Sequence, residues 1–316
     1  MQQIPPYPPQ TPPAVTQPRP PQGRRPHARR KARRGLPCGF VIFLVAMVLT
    51  FACGLSFVIY LVFPPAPVNV LLLGVDARPG EGLVTRTDAI VVLGVRPSHL
   101  QVSTFSIPRD LSVQVPGYGL QRVNTVNALG EMERAGEGPL LLARSVSQNF
   151  GISTPRYVRL DFGGFERLIN AVGGLMIDVP NTIVDNAYPT SDGGTMSIRF
   201  DPGLQYMDGE RALIYVRTRH SDDDYRRAER QQQVIQALSL KLINPLNWPS
   251  LAQFMLTSAD TNLTPGDLLA MTPALIFNVG RYDQLVIDRT LISATGEGVA
   301  IPNYAALRPW LDDRFD

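Results

Sequence analysis

The longest apolar run in the chain extends from Leu36 to Phe63 and contains no charged residue. A helix crosses a bilayer core of about 30 Å with about 20 apolar residues, so this run is long enough to span a membrane. The alternative, a cleaved signal peptide, has an apolar region of only about 7–15 residues followed by a small-residue cleavage site. The pattern therefore predicts one retained transmembrane helix at 36–63.

After a proline-rich linker at 64–67, strand and helix patterns mix without regular alternation. Several predicted strands are short and closely spaced, as in hairpins. The strands are predicted at 68–73, 89–95, 100–107, 111–115, 157–162, 175–179 and 285–288. The helices are predicted at 139–150, 165–172, 209–216, 226–243, 249–257 and 265–277. This content predicts a single α/β (α+β) domain at 68–316, with a mixed central β-sheet flanked by helices.

The basic residues are concentrated at one end of the chain. Residues 1–35 contain eight Arg and Lys residues, no acidic residue and many prolines, which predicts a disordered tail. Because cytoplasmic flanks of membrane helices carry the excess of Lys and Arg, we expect a cytoplasmic tail and an extracytoplasmic body. A basic stretch next to a membrane helix more often contacts anionic lipid than nucleic acid, so nucleic acid is not the expected partner.

Several common site chemistries are excluded by what the body lacks. The only cysteines, Cys38 and Cys53, lie within the apolar run, so the body has no disulfide and no thiol ligand or nucleophile. The sequence contains no phosphate-binding Gly-Lys-Ser/Thr loop, no Gly-x-Ser-x-Gly and no His-Glu-x-x-His.

Four polar clusters rich in arginine and carboxylates lie beside apolar runs. They are Asp76, Arg78, Arg86 and Asp88; Arg109 and Asp110; Arg122 and Asn124; and Arg217, Arg219, Asp222–Asp224, Arg226, Arg227, Arg230 and Gln231. Guanidinium groups form bidentate hydrogen bonds to phosphate, and paired aspartates bind Mg²⁺ whose coordination is completed by substrate phosphates. The combination indicates phosphoryl transfer.

Arginine is also the default cation of this chain, with two lysines among 30 basic residues, so some of these arginines are expected to be surface or ion-pair groups. Arg217 and Arg219 would point to the same side if their stretch were an extended strand.

The clusters stand in motifs that resemble the LytR-CpsA-Psr family of envelope proteins. The motifs are LLLGVDAR with RTDAIVV, FSIPRDLSV, RVNTVNALG, YVRLDFGGFERLINAVGGLMIDVP, and GLQYMDGERALIYVRTRH with DYRRAERQQQVI. Each motif is weak alone, but the five in this order are specific, and they cover roughly residues 68–243.

The resemblance implies an enzyme of the cell membrane, with a single transmembrane helix and an extracytoplasmic catalytic domain that contains a hydrophobic lipid pocket. Such an enzyme is a Mg²⁺-dependent phosphotransferase, with Mn²⁺ as an alternative ion, and moves a glycopolymer from a polyprenyl diphosphate carrier to peptidoglycan. A pyrophosphatase side activity is also expected.

The resemblance further implies roles for individual residues. Asp76 and Asp88 are expected to hold the metal. The expected catalytic residues are Arg86, Arg109, Arg217, Arg219 and Asp224. The expected substrate-binding residues are Arg78, Arg122, Asn124, Arg227 and Gln231. The expected lipid-pocket residues are Phe162, Phe165, Leu168, Ile169, Val234, Ile235 and Leu238. The general base stays open between Asp224 and Asp110.

Two other functions remain as alternatives. One is a membrane-bound regulator or attenuator of transcription that touches DNA with the basic tail, which the expected topology disfavours. The other is a protein that binds polyprenyl diphosphate without catalysis.

Overall fold

The computed structural model describes residues 38–77, 82–190, 193–218, 224–242, 244–278, 282–294 and 299–315. The chain divides into two units, Met1–Cys53 and Gly54–Asp316. The described residues of the first unit form the first part of helix α1 (Cys38–Val62), and the rest of α1 begins the second unit. Within the described residues, α1 is the one helix long and apolar enough to span a membrane.

The second unit mixes helices and strands. Its further α-helices are α2 (Val126–Glu133), α3 (Gly138–Phe150), α4 (Phe162–Ala171), α5 (Gly209–Arg217), α6 (Asp224–Leu242), α7 (Trp248–Thr257), α8 (Pro265–Phe277) and α9 (Tyr304–Phe315). Its strands are β1 (Val68–Val75), β2 (Thr87–Arg96), β3 (Gln101–Ser106), β4 (Ser112–Val115), β5 (Gly119–Arg122), β6 (Arg156–Leu160), β7 (Leu175–Val179), β8 (Ile183–Pro189), β9 (Thr195–Phe200), β10 (Gly203–Met207), β11 (Asp260–Thr261), β12 (Asp283–Val286), β13 (Ile292–Ala294) and β14 (Ala300–Pro302).

A six-stranded sheet forms the centre of the unit, in the order β11-β6-β1-β2-β3-β12. β1, β2 and β3 are antiparallel neighbours, whereas β6 pairs with β1 and β12 pairs with β3 in parallel. The remaining strands form the two-stranded sheets β4-β5, β7-β10, β8-β9 and β13-β14. The predicted mixed α/β fold is therefore confirmed.

Strand β1 is buried on both faces, as its mostly apolar sequence predicts. Because side chains alternate along a strand, Leu71 and Leu73 pack with α3 and α9 on one face, and Val68 and Val70 pack with α8 on the other. Helix α8 matches its predicted bounds, with Thr264 as a capping-box residue and Pro265 in the first turn.

A second core forms where α4, α5 and α6 pack with the two-stranded sheets β7-β10 and β8-β9. Asp161 and Asp208 cap α4 and α5 by accepting hydrogen bonds from backbone N–H groups of the first turn. Gly209 permits the close approach of these helices, because a Cβ at this position would overlap the backbone of Glu166.

Several elements were not predicted. They are α2, α9 and the strands β5, β8, β9, β10, β11, β13 and β14. Phe162, predicted at the end of a strand, instead begins α4 after the Asp161 cap.

Candidate active site

The turn between β1 and β2 brings the predicted metal ligands together. Asp76 directly follows β1, and Asp88 is the second residue of β2. The Asp76 backbone N–H donates to the Arg86 carbonyl oxygen at 3.0 Å, so the two sides of the turn are joined at this point. The carboxylates and the Arg86 guanidinium consequently belong to one rim of the sheet.

Asn127 of α2 anchors the part of this turn that carries Arg86. Its side-chain amide donates to the carbonyl oxygens of Leu83 and Thr85, each at 3.0 Å. Its Oδ1 accepts from Nη1 of Arg159 at 3.0 Å. Asn127 is fully buried, so these bonds are shielded from water and fix the turn to the body.

A buried ion-pair network supports Asn127 from behind. Arg159 of β6 is 3% exposed and contacts Glu131 Oε1 at 2.6 Å and Asp260 Oδ2 at 2.5 Å. Burial raises the pKa of Glu131, but hydrogen bonds from the Gly136 N–H and from Arg159, with the charge of Arg159, outweigh it and lower the pKa below its ordinary value. Glu131 is therefore a charged structural group.

Arg109 reaches the same rim from the turn after β3. Its Nη1 donates to Asp88 Oδ1 at 2.9 Å, and its Nε lies 3.4 Å from Asp110 Oδ2. The Arg109 carbonyl accepts from the Asn124 N–H at 3.2 Å, which brings Asn124 and the neighbouring Arg122 to the site.

These groups surround a polar cavity of about 340 Å³. It is lined by Asp76, Arg86, Asp88, Arg109, Asp110, Arg122, Asn124 and Thr125. Asn124 Oδ1 is buried and has no hydrogen-bond partner in the part of the chain that the structure describes. The cavity thus combines cationic side chains with oxygen donors, as the sequence predicts for a metal-bridged phosphate.

Helix α6 approaches the rim from the other side. Arg227, which is 5% exposed, contacts Asp88 Oδ2 through Nη2 at 3.0 Å. Gln232 ties α6 to the sheet, because its amide donates to Ser106 Oγ and accepts from Thr104 Oγ1. The position of Arg227 is therefore fixed by the helix that carries it.

Arg217 is held between two aromatic rings. Its guanidinium carbon lies 4.0 Å from the Phe162 ring centroid and 5.6 Å from that of Tyr188, whose hydroxyl accepts from Nη1 at 3.1 Å. Burial raises the pKa of Tyr188, although Arg217 opposes this effect, so the phenol stays protonated. Arg217 ends α5 rather than lying in a strand, so the extended stretch on which its convergence with Arg219 depended is not present at Arg217.

A second, apolar cavity of about 210 Å³ lies between the sheet and helices α4, α5 and α6. Six of the seven predicted lipid-pocket residues line it, namely Phe162, Phe165, Leu168, Val234, Ile235 and Leu238. The seventh, Ile169, is instead fully buried in the core. Arg217, Arg227 and Gln231 line the polar end of this apolar cavity.

Asp88 lines both cavities. The two cavities therefore meet at one carboxylate that is flanked by Arg109 and Arg227. This arrangement matches a ligand with a long apolar part and an anionic head.

Three predicted residues are not brought to the site by the described part of the structure. Arg78 and Arg219 lie outside the described residues, as does the side chain of Asp224, whose backbone begins α6.

Comparison with known proteins agrees with these motifs. The sequence profile of the LytR_cpsA_psr family matches residues 64–288. The chain belongs to this family. The resemblance stated from the motifs is thereby confirmed.

Individual members of the LytR_cpsA_psr family are similar in sequence and fold. A protein of Oceanobacillus iheyensis, named polyisoprenyl-teichoic acid–peptidoglycan teichoic acid transferase TagU, is 38% identical over 172 residues, which is 54% of this chain and 50% of that protein. The chain thus spans about half the length of this curated relative. The crystal structure of B. subtilis TagV has a TM-score of 0.63 and 26% identity, covering 78% of this chain and 96% of that one. The structure described as TagT bound to LI-WTA has a TM-score of 0.59 and 25% identity, covering 79% and 90%.

The donor set fits the metal that the family resemblance implies. No group of three or more His, Cys, Asp or Glu side chains suited to a metal occurs among the described residues. Mg²⁺ needs no such group, because it keeps several waters and binds through one or two carboxylates plus substrate phosphates. Asp76 and Asp88 supply those carboxylates, and the orphaned Asn124 Oδ1 offers another hard oxygen in the same cavity. The same oxygen set suits Mn²⁺.

Sequence reasoning missed the residues that position the arginines. Tyr188 belongs to the unpredicted strand β8, and Asn127 belongs to the unpredicted helix α2. Neither belongs to one of the four polar clusters; Asn127 does lie within the motif RVNTVNALG, which is the one sequence signal that could have identified it. Phe162 was predicted as a lipid-pocket residue, but its contact with Arg217 was not.

Proposed function

We propose that this protein is a Mg²⁺-dependent phosphotransferase that moves a glycopolymer from a polyprenyl diphosphate carrier to peptidoglycan. The observation that carries the proposal is the meeting of a polar, arginine-lined cavity and an apolar cavity at Asp88. A lipid diphosphate has the same two parts, an apolar chain and an anionic head. The names of the TagU relative and of the TagT complex, which refer to teichoic acid transfer and to a bound LI-WTA, support the same class of substrate.

The position of each residue suggests its role in this reaction. In this proposal the diphosphate oxygens are bound by Arg109, Arg217 and Arg227. The phosphate is also contacted from the polar cavity by Arg86 and Arg122. Asp76 and Asp88 are to hold the metal ion. When bound, the ion supplies Lewis-acid stabilisation of charge on phosphate oxygens.

The proposed step breaks the phosphoanhydride bond of the diphosphate and forms a phosphodiester bond to the acceptor. An acceptor hydroxyl oxygen attacks the phosphorus on the glycan side, and the bond from that phosphorus to the bridging oxygen breaks, so polyprenyl phosphate leaves. The hydroxyl proton needs a base. Asp110 lines the polar cavity, so we propose that it accepts this proton, with Asp224 as the other predicted base.

The proposed orientation has the tail in the cytoplasm and the body outside. It rests on the basic residues of 1–35, which precede the membrane helix. A carboxyl-terminal alkaline phosphatase fusion is expected to be active, because this reporter functions only after export. The pyrophosphatase side activity and the transcriptional role both stay predictions.

Arg217 and Arg211 provide a matched test of the proposal. Both lie on α5 and both stack on an aromatic ring, but Arg211 contacts Phe200 and does not line either cavity. With full-length protein in vesicles, a radiolabelled lipid-linked glycopolymer and peptidoglycan, Arg217→Ala is expected to reduce transfer by about 10²–10³-fold, as for the loss of one transition-state donor. Arg211→Ala is expected to retain transfer.

The assay also separates catalysis from binding alone. Wild-type protein that bound the lipid-linked polymer but transferred none of it with Mg²⁺ present would contradict the proposal and favour the non-catalytic binder. Equal activity of the two arginine variants would contradict the assignment of Arg217.

A further inference from the structure

The segment from Lys241 to Gly280 is almost free of charge. Among its forty residues the charged ones are Lys241, Asp260 and Asp267. Asp260 contacts Arg159, and Asp267 closes the capping box of α8 and contacts Arg156, so both carboxylates are engaged with the body. Helix α7 and the rest of α8 consequently present no charged side chain to solvent.

The same segment is rich in exposed apolar side chains. Leu256 is 86% exposed, Leu246 82% and Leu269 74%. The other large apolar residues exposed here are Trp248, Leu268, Ile276 and Phe277, and Leu240 of α6 directly precedes the segment. We call these eight residues the α7–α8 face. Elsewhere in the described body, Met176, Leu204 and Tyr206 share one face of the β7-β10 pair, and the other exposed apolar residues are scattered over several elements, as is ordinary for a protein surface.

Contacts between α8 and the final turns of α1 indicate where this face lies. Tyr60 donates a hydrogen bond to the Ala270 carbonyl in α8 at 2.9 Å, and the Phe57 and Phe277 rings stack with centroids 5.2 Å apart. Helix α1 ends at Val62, and only residues 63–67 separate it from β1. About 20 residues suffice to cross the bilayer core, so these last residues of the 25-residue α1 lie at the membrane boundary, and α8 lies beside them.

We propose that the α7–α8 face is seated in the interface of the membrane leaflet that the body adjoins. An exposed, uncharged, leucine-rich face is stabilised by burial among headgroups and acyl chains, and a tryptophan such as Trp248 is typical of this depth. The occupant is the bilayer surface rather than a protein, because the contact between α8 and α1 holds the face where the chain enters the membrane.

The face also adjoins the apolar cavity. Leu238 of α6 lines that cavity and packs in the same core as Leu251 of α7, next to the α7–α8 face. If the proposed function holds, a lipid carrier reaches the cavity over apolar surface. The membrane seat itself does not depend on that function.

The two tryptophans of the chain allow a direct test. Trp248 belongs to the face, whereas Trp310 of α9 packs against Phe315 and the core on the sheet face opposite α8. Full-length protein is reconstituted into vesicles of lipid brominated near the headgroup, which quenches nearby tryptophan. Trp310→Phe leaves Trp248 as the fluorophore, and Trp248→Phe leaves Trp310.

For Trp248 we expect a loss of about half the emission, since interfacial helices are buried by about 5–10 Å, and for Trp310 no loss. Should the Trp310→Phe variant fail to fold, wild-type emission minus that of Trp248→Phe gives the same quantity. The double variant Leu256→Gln with Leu269→Gln is expected to lower Trp248 quenching about twofold, whereas Met132→Gln, at an exposed position of α2, is expected to leave it unchanged. Equal quenching of both tryptophans, no quenching of Trp248, or an unaltered double variant would overturn the proposal. None of these readouts depends on transfer activity.

Discussion

The bridge formed by Asp88 predicts that this carboxylate supports the fold as well as the metal. Its side chain is 12% exposed and lies 2.9 Å from Arg109 and 3.0 Å from Arg227. Arg227 is nearly buried, so its charge is poorly solvated without an anionic partner. Asp88→Asn keeps the shape of the side chain and removes its charge.

The expected loss follows from the burial of each partner. Leaving a buried charge without its partner costs about 3–5 kcal/mol, whereas an exposed ion pair contributes only about 0–1 kcal/mol. The Arg227 contact is closer to the first kind, because that side chain is 5% exposed, although Arg227 also interacts with other groups. The Arg109 contact is intermediate, since that side chain is 22% exposed and also contacts Asp110. Because the asparagine oxygen still accepts one hydrogen bond, we expect a net loss of about 2–4 kcal/mol. For a body of this size that loss lowers the melting temperature by about 4–16 °C.

Asp76→Asn is the matched control. Asp76 is exposed, and no ion pair to its carboxylate occurs within residues 38–77, 82–190 and the other described ranges. We expect its unfolding free energy to change by less than about 0.5 kcal/mol, as for most surface substitutions. Both variants are expected to lose metal-dependent transfer, so stability separates two residues that activity does not.

Thermal and urea unfolding of the full chain in detergent micelles, followed by far-ultraviolet circular dichroism, measures the difference. Measurements without added metal isolate the contribution of the arginines. An Asp88→Asn variant with the same melting temperature and urea midpoint as the wild type would show that the bridge adds no net stability. An Asp76→Asn variant as unstable as Asp88→Asn would refute the distinction drawn from burial.

Three further predictions concern the supports behind the site. Arg159→Leu leaves Glu131 buried without its partner, so we expect a loss of about 3–5 kcal/mol in urea unfolding, and a loss below about 1 kcal/mol would contradict the role of this pair. Because the pKa of Glu131 is lowered in the folded state, its contribution to stability is present above its ordinary pKa of 4.5 and is lost as the pH falls through the lower folded value. Glu131→Gln should therefore weaken the acid dependence of the urea midpoint. An unchanged acid dependence would contradict this role of Glu131. Gly209→Ala inserts a methyl group against the backbone of Glu166 and should destabilise the protein by about 1–3 kcal/mol, whereas an unshifted melting temperature would mean that α4 and α5 separate freely.

The two central strands β1 and β2 were predictable because each is mostly apolar. The apolar runs at 68–73 and 89–95 each predict a strand buried on both faces, and antiparallel pairing of two consecutive strands brings the ends of their connection together. That connection is why Asp76 and Asp88 could be paired before any coordinates.

The helices and strands that were not predicted have sequences that are unusual for a helix or a strand. Helix α9 contains Pro309, a residue that ordinarily ends a helix. Helix α2 contains Gly130, whose missing Cβ lets the backbone of Gly138 approach. In β8 the apolar Val184 is exposed and the charged Asp185 is buried, and in β9 only Phe200 is fully buried, so neither strand has a strong apolar pattern.

The roles of the arginines could not be predicted from the sequence, because they depend on how the segments pack. A chain with only two lysines uses arginine for every purpose, so neither the number of arginines nor their clustering separates binding groups from structural ones. Burial alone does not separate them either. Arg159 and Arg230 are as buried as Arg227, but Arg159 is neutralised by Glu131, and Arg230 donates to the Thr218 carbonyl. What distinguishes Arg227 is that its guanidinium lies at a cavity wall beside a carboxylate shared by two cavities, a relation among β2, β3 and α6 that exists only after these segments have packed.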